Sequence, residues 1–200
     1  MCCNTNNMAM INKTASLSCF LKSKWILAVL LFFLCTVWSD RTVSANSINE
    51  YKVKAAFVLN FALLTEWPEQ SFSSETAPIK LCVLGDRALM QAFDSINGKN
   101  IGKRSLQVTT SPPHDASPSC HIIFIGKNVS TKIVLRTLTK VHKNPVLTIG
   151  EKDTFMALGG AIHFFMEKSR LRFGINTTVI EKQNLRLSSR LLKIARLTSN

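Results

Sequence analysis

Three short, almost wholly apolar runs constrain this chain most. They are Ile79 to Leu84 (IKLCVL), His121 to Ile125 (HIIFI) and Pro145 to Ile149 (PVLTI). Runs of this length without polar alternation fit strands covered on both faces, as in parallel sheets. Gly85-Asp86 turns the first run into a helix predicted from Arg87 to Ile96, which Asn97-Gly98 breaks. Ser105 to Thr110 alternates like a further strand, and residues 111–119 read as a loop. Gly126 ends the second run, and Ser130 is placed to cap a helix from Thr131 to His142. Strands alternating with helices at this spacing predict an α/β fold in one layered domain.

Both ends of this region depart from that rhythm. Ser47-Ile48-Asn49-Glu50 reads as a capping box opening a helix from Ile48 to Glu66, which Pro68 stops. Its apolar residues cover most of the circumference, so it is expected to be buried or to lie in an interface. At the other end, Ala161 to Met166 and Leu171 to Ile175 predict a C-terminal β-hairpin with a four-residue loop, Glu167 to Arg170. Helices are expected from about Thr178 and from Ser188 to Leu197.

Residues 1–45 read as a secretory signal: Lys13, Lys22 and Lys24, then uncharged Trp25 to Trp38, then Val43-Ser44-Ala45 with small residues before a cut. As a helix the apolar run spans about 21 Å at about 1.5 Å per residue. A membrane span needs about 30 Å, so cleavage is expected over anchoring, with residues 46–200 as the exported domain. The net charge of +13 falls only slightly with the leader. Export removes nucleic acid as a partner and leaves anionic lipid, cell-wall polymer or an acidic protein patch. Cleavage also removes four of the six cysteines, leaving Cys82 and Cys120. An even pair in an exported chain favours a disulfide, with two buried free thiols as the alternative.

Three stretches together resemble the YfiR family of small periplasmic proteins. The first runs Glu50-Tyr51-Lys52-Val53-Lys54-Ala55-Ala56-Phe57, then Asn60-Phe61 and Glu66-Trp67-Pro68. The second is Leu81 to Asp86 with Cys120 to Gly126. The third is Gly159 to Ile162, Leu171 to Asn176 and Leu187 to Arg196. The resemblance implies a Rossmann-like α/β domain that forms a homodimer, carries no cofactor and is not an enzyme. It also implies binding to the periplasmic domain of an inner-membrane diguanylate cyclase, which restrains cyclic-di-GMP signalling and biofilm formation. Some members hold a second cysteine pair in the hairpin region, where this chain has no cysteine. Tyr51, Phe57, Phe61 and Trp67, with Arg172 in the third stretch, are the candidate partner-binding residues.

Catalytic constellations are thin. Cys120 and His121 are adjacent, so on a strand they face opposite ways. His114, His121, His142 and His163 show no metal-ligand spacing, and neither a P-loop nor a GxGxxG is present. Asp86 sits at a strand end, where α/β folds place active residues, but there it equally serves as a helix N-cap. Two basic stripes stand out: Lys132, Arg136, Lys140 and Lys143, and Arg186, Arg190 and Lys193. Each reads as a solvated face or as a contact with an acidic partner or a membrane surface. The alternative function is a periplasmic small-molecule sensing domain without a cyclase partner.

Overall fold

Alternating strands and helices build a doubly wound sheet. The structure is a computed structural model that describes residues 42–110 and 119–199. The leader up to residue 41, and residues 111–118 of the predicted loop with His114, lie outside the described residues. Residues 47–200 form one compact unit.

Helix α1 (Thr42–Leu63) leads into β1 (Thr65–Glu66), a 3-10 turn (Glu69–Ser71) and β2 (Ile79–Leu84). Then come α2 (Arg87–Asp94), β3 (Asn100–Ile101), β4 (Arg104–Thr110), β5 (Ile122–Ile125), α3 (Thr131–Val141) and β6 (Leu147–Gly150). The chain ends with β7 (Ile162–Glu167), β8 (Arg170–Asn176), α4 (Thr177–Lys182), β9 (Arg186–Leu187), α5 (Ser189–Ile194) and β10 (Arg196–Thr198).

The main sheet runs β10-β8-β7-β6-β5-β2-β4-β3. Its heart, β4-β2-β5-β6-β7, is parallel throughout. Strand order reverses between β2 and β5, the crevice where doubly wound folds bind ligands beyond the strands' carboxyl ends. Alternation along each strand divides the core. Leu81, Val83, Ile122, Phe124, Ile149 and Phe164 pack with α1 residues Ala55, Val58 and Phe61 on one face. Cys82, Leu84, Ile123 and Ile125 pack with α3 residues Val134, Leu138 and Val141 on the other. Gly150 and Gly160 both pack against the Phe155 ring, where any Cβ would collide with it.

Several expected boundaries move. Helix α1 is already under way at Thr42, so Ser47 lies inside it rather than capping it. It ends at Leu63, where the Thr65 hydroxyl donates back to the Phe61 carbonyl. Thr65 and Glu66 are extended instead, because β9 offers them antiparallel partners, Leu187 and Arg186. Helix α2 stops at Asp94, short of Ile96. Ser130 occupies the N-cap position of α3 without a side-chain bond. The β7–β8 loop is two residues, not four: Lys168 and Ser169 both take positive φ (48° and 60°), as a type I′ turn requires. The terminal helix also ends early, at Ile194, and residues 196–198 become β10 beside β8.

Candidate functional site

The C-terminal ends of β2, β5 and β6 converge on α1 through a polar cluster. Asp86, just past β2, caps α2 by accepting from the Leu89 amide at 2.9 Å. Its other oxygen accepts from Asn128 at 3.1 Å and lies 3.5 Å from the Tyr51 hydroxyl. Glu151, just past β6, accepts from the Lys127 amide at 3.0 Å and pairs with the Lys54 ammonium. Lys54 also reaches Glu50 one turn earlier on α1. Lys54 and Glu151 are both buried.

Electrostatics follow from this packing. Burial alone would lower the Lys54 pKa, but the hydrogen bonds it donates to Glu151 and Glu50 outweigh that and hold it above the usual range. Burial and the neighbouring Asp86 carboxylate push the Tyr51 hydroxyl up to about 12, so it stays protonated. The crevice where α/β proteins place ligands is thus occupied by the protein's own ammonium and phenol, and both belong to α1. Glu151 was missed from the sequence: it follows a strand-ending glycine, and its partner is 97 residues away.

The expected partner-binding residues do not form one patch. Tyr51 is half-buried in the polar cluster. Phe57 is also half-buried, packed edge-on against Phe164 and Phe173 at 5.9 Å. Phe61 is 1% exposed and lies 4.8 Å from the Phe173 ring, so it reaches a partner only through the surface it supports. Trp67 sits at the opposite end of the strands from Tyr51, its indole N–H donating to the His121 carbonyl at 3.3 Å. Arg172 alternates with Phe173 and pairs with Phe165, so it points to the far side of the sheet, with Glu167 at 3.9 Å. What α1 does expose is a mixed stripe of Asn49, Lys52, Val53, Ala56, Asn60 and Leu63, with Val53 and Leu63 each 48% exposed. Of the two expected fates, full burial within the chain is not seen: one side meets the sheet and the other is open, which leaves the interface alternative for the outer side.

Cys82 and Cys120 form a disulfide with a Cα separation of 5.9 Å. It ties β2 to the residues entering β5 on the α3 face. Next to it, His121 knots the 3-10 turn to the sheet. Its Nδ1 accepts from the Lys80 amide at 3.0 Å, which leaves Nε2 to donate to the Ser71 carbonyl at 2.9 Å. The ring stacks on Phe72 at 4.6 Å, and Arg104 covers the other side of that phenyl at 3.6 Å. Burial lowers the His121 pKa, and the Lys80 and Arg104 cations lower it further. A cleft of about 510 Å³ opens here, lined in part by Ser71, Phe72, Lys80, Cys120 and His121.

Lys132, Arg136 and Lys140 of the first basic stripe lie along the exposed side of α3, and Lys143 follows its end. The second is not a stripe: Arg186 is in β9, whereas Arg190 and Lys193 are on α5. Among the described residues no His, Cys, Asp and Glu group could hold a metal ion, and no helix is long and apolar enough to cross a membrane.

A family model described as YfiR/HmsC-like matches residues 51–196. Among solved structures, a conserved domain protein from Vibrio cholerae O1 biovar El Tor is similar, with a TM-score of 0.47 and 10% identity. The alignment covers 61% of this chain and 55% of that one, so the chain spans about half the length of that relative.

Proposed function

The chain belongs to the YfiR/HmsC-like family, whose model spans residues 51–196, and on that premise we propose that it is a stoichiometric brake on an inner-membrane diguanylate cyclase. The family is regulatory and non-catalytic, and membership supports a periplasmic regulator of cyclic-di-GMP signalling. The finer reading adds a signal peptide over residues 1–45, cleaved after Ala45, and an exported domain over residues 46–200. That domain binds the periplasmic part of the cyclase and favours its inactive conformation by its higher affinity for that state. Loss of binding raises cyclic-di-GMP and promotes biofilm.

One observation carries the choice of surface: the outer stripe of α1, where Val53 and Leu63 stay half exposed on a helix anchored by its other side. Tyr51, Phe57 and Trp67, each partly exposed at a different place, would add separate contacts, and Phe61 supports α1 from the core. Arg172, on the far side of the sheet, would belong to a second contact. Deleting the gene in a strain with a functioning partner cyclase should raise cyclic-di-GMP, and unchanged levels would remove this reading. The homodimer is part of the proposal: light scattering on the purified protein should give twice the chain mass.

The cleft beside His121 favours a second reading, a small-molecule sensor. Its size falls among small-ligand pockets, and Lys80 supplies a cation. A ligand that fills it should raise the melting temperature, and the gain should vanish in Lys80→Ala. Broad screening without any shift would discard it.

A further inference from the structure

We propose that the outer side of α3 rests on an anionic phospholipid surface. From Lys127 to Gly150 the chain holds no Asp or Glu. Within that stretch α3 buries Val134, Thr137, Leu138 and Val141, so its face is fixed. Lys132, Leu135, Arg136, Thr139 and Lys140 point outward, followed by exposed Lys143. Among the described residues none of these cations is in an ion pair, although other cations of the domain are. Like charges four residues apart cost a helix a few tenths of a kcal/mol per pair, and only Lys140, in the last turn, gains from the helix dipole.

The composition of this face selects a lipid over a protein. Protein interfaces are depleted in Lys and enriched in aromatic residues, and here three of four cations are Lys and no aromatic is present. Long flexible lysines around one apolar side chain suit a fluid headgroup layer, where stems lie along apolar groups and ammonium ends meet phosphates. Leu135, 49% exposed amid the cations, supplies that apolar group. The α1 stripe lies on the opposite face of the sheet, so a membrane-seated α3 leaves it free for a partner. The inference rests on export to a compartment bounded by anionic lipid, but its test involves no cyclase.

The test is co-sedimentation of the protein, purified as the cell exports it, with vesicles of phosphatidylcholine alone or mixed with phosphatidylglycerol. Binding should require phosphatidylglycerol and fall steeply as salt rises, because exposed charges are screened within about 10 Å. Each Gln replacement among Lys132, Arg136, Lys140 and Lys143 should weaken binding about fivefold, and all four together several hundredfold. Leu135→Ser should weaken it at every salt concentration, whereas Arg190→Gln with Lys193→Gln should not. The quadruple variant loses the repulsive pairs together with the favourable placement of Lys140 in the last turn, terms of similar size, so its thermal melt should stay close to that of the parent. Equal binding by the quadruple variant, equal binding to pure phosphatidylcholine, or capture by polyglutamate with no vesicle binding would overturn the proposal; the last would mark an acidic protein site.

Discussion

Replacing Glu151 with Gln would leave the Lys54 ammonium inside the domain with Glu50 as its remaining carboxylate. Breaking a buried pair from one side costs about 3–5 kcal/mol, whereas replacing both partners with apolar groups is far milder. Glu151→Gln should therefore destabilise by about 3 kcal/mol, since half-exposed Glu50 compensates in part. Lys54→Met with Glu151→Leu should lose much less, and urea denaturation would measure both. His121 gives a second prediction. Burial and the Lys80 and Arg104 cations depress its pKa below the ordinary 6.5, so the folded state prefers the neutral ring. Its contribution is complete above that value and declines as pH falls below it. His163, also lowered by burial, adds a decline of the same sign. Thermal melts on either side of that pH should show a loss that is smaller in His121→Asn; identical losses would remove His121 as a cause. Asp86 was legible as a cap because strand, Gly-Asp and helix are contiguous. The Lys54–Glu151 pair was not, because only the sheet's strand order brings those residues together.

Among the elements, α1 is held by rings on its inner side and left open on its outer side. Phe61→Ala should cost about 3–5 kcal/mol, the range for a buried phenylalanine. Val53→Glu should stay within about 0.5 kcal/mol on the exposed side. A similar loss from both substitutions would mean that the outer stripe is covered after all. The disulfide ties β2 to the start of β5 across 38 residues. Opening it by Cys82→Ser with Cys120→Ser should cost about 2–4 kcal/mol in equilibrium unfolding. The buried strands were readable from their apolar runs, and β2 falls where the sequence predicts. Element ends were less readable, for local reasons. Ser47 looks like a cap only if the chain turns before it, and Thr65-Glu66 become extended because distant β9 pairs with them. Lys168-Ser169 makes a tight turn without the Asn-Gly signal that identifies one.

At the scale of the molecule, two surfaces lie on opposite sides of one sheet: a partly apolar stripe on α1 and a basic face on α3. The α/β class followed from alternation alone, but the reversal between β2 and β5 did not. Parallel neighbours are joined by crossovers whose order leaves no local trace, and here the reversal places the polar cluster under α1. The apolar circumference of α1 was visible in the sequence, whereas the side left uncovered depended on which residues face Phe164 and Phe173. The most direct measurement is calorimetric titration of the exported protein into the periplasmic domain of each membrane diguanylate cyclase encoded in the same genome. The account predicts stoichiometric binding to one of them, weakened at least about tenfold by Val53→Glu with Leu63→Glu while the melting temperature holds. Absence of binding to every such domain, or affinity untouched by the two substitutions, would contradict it.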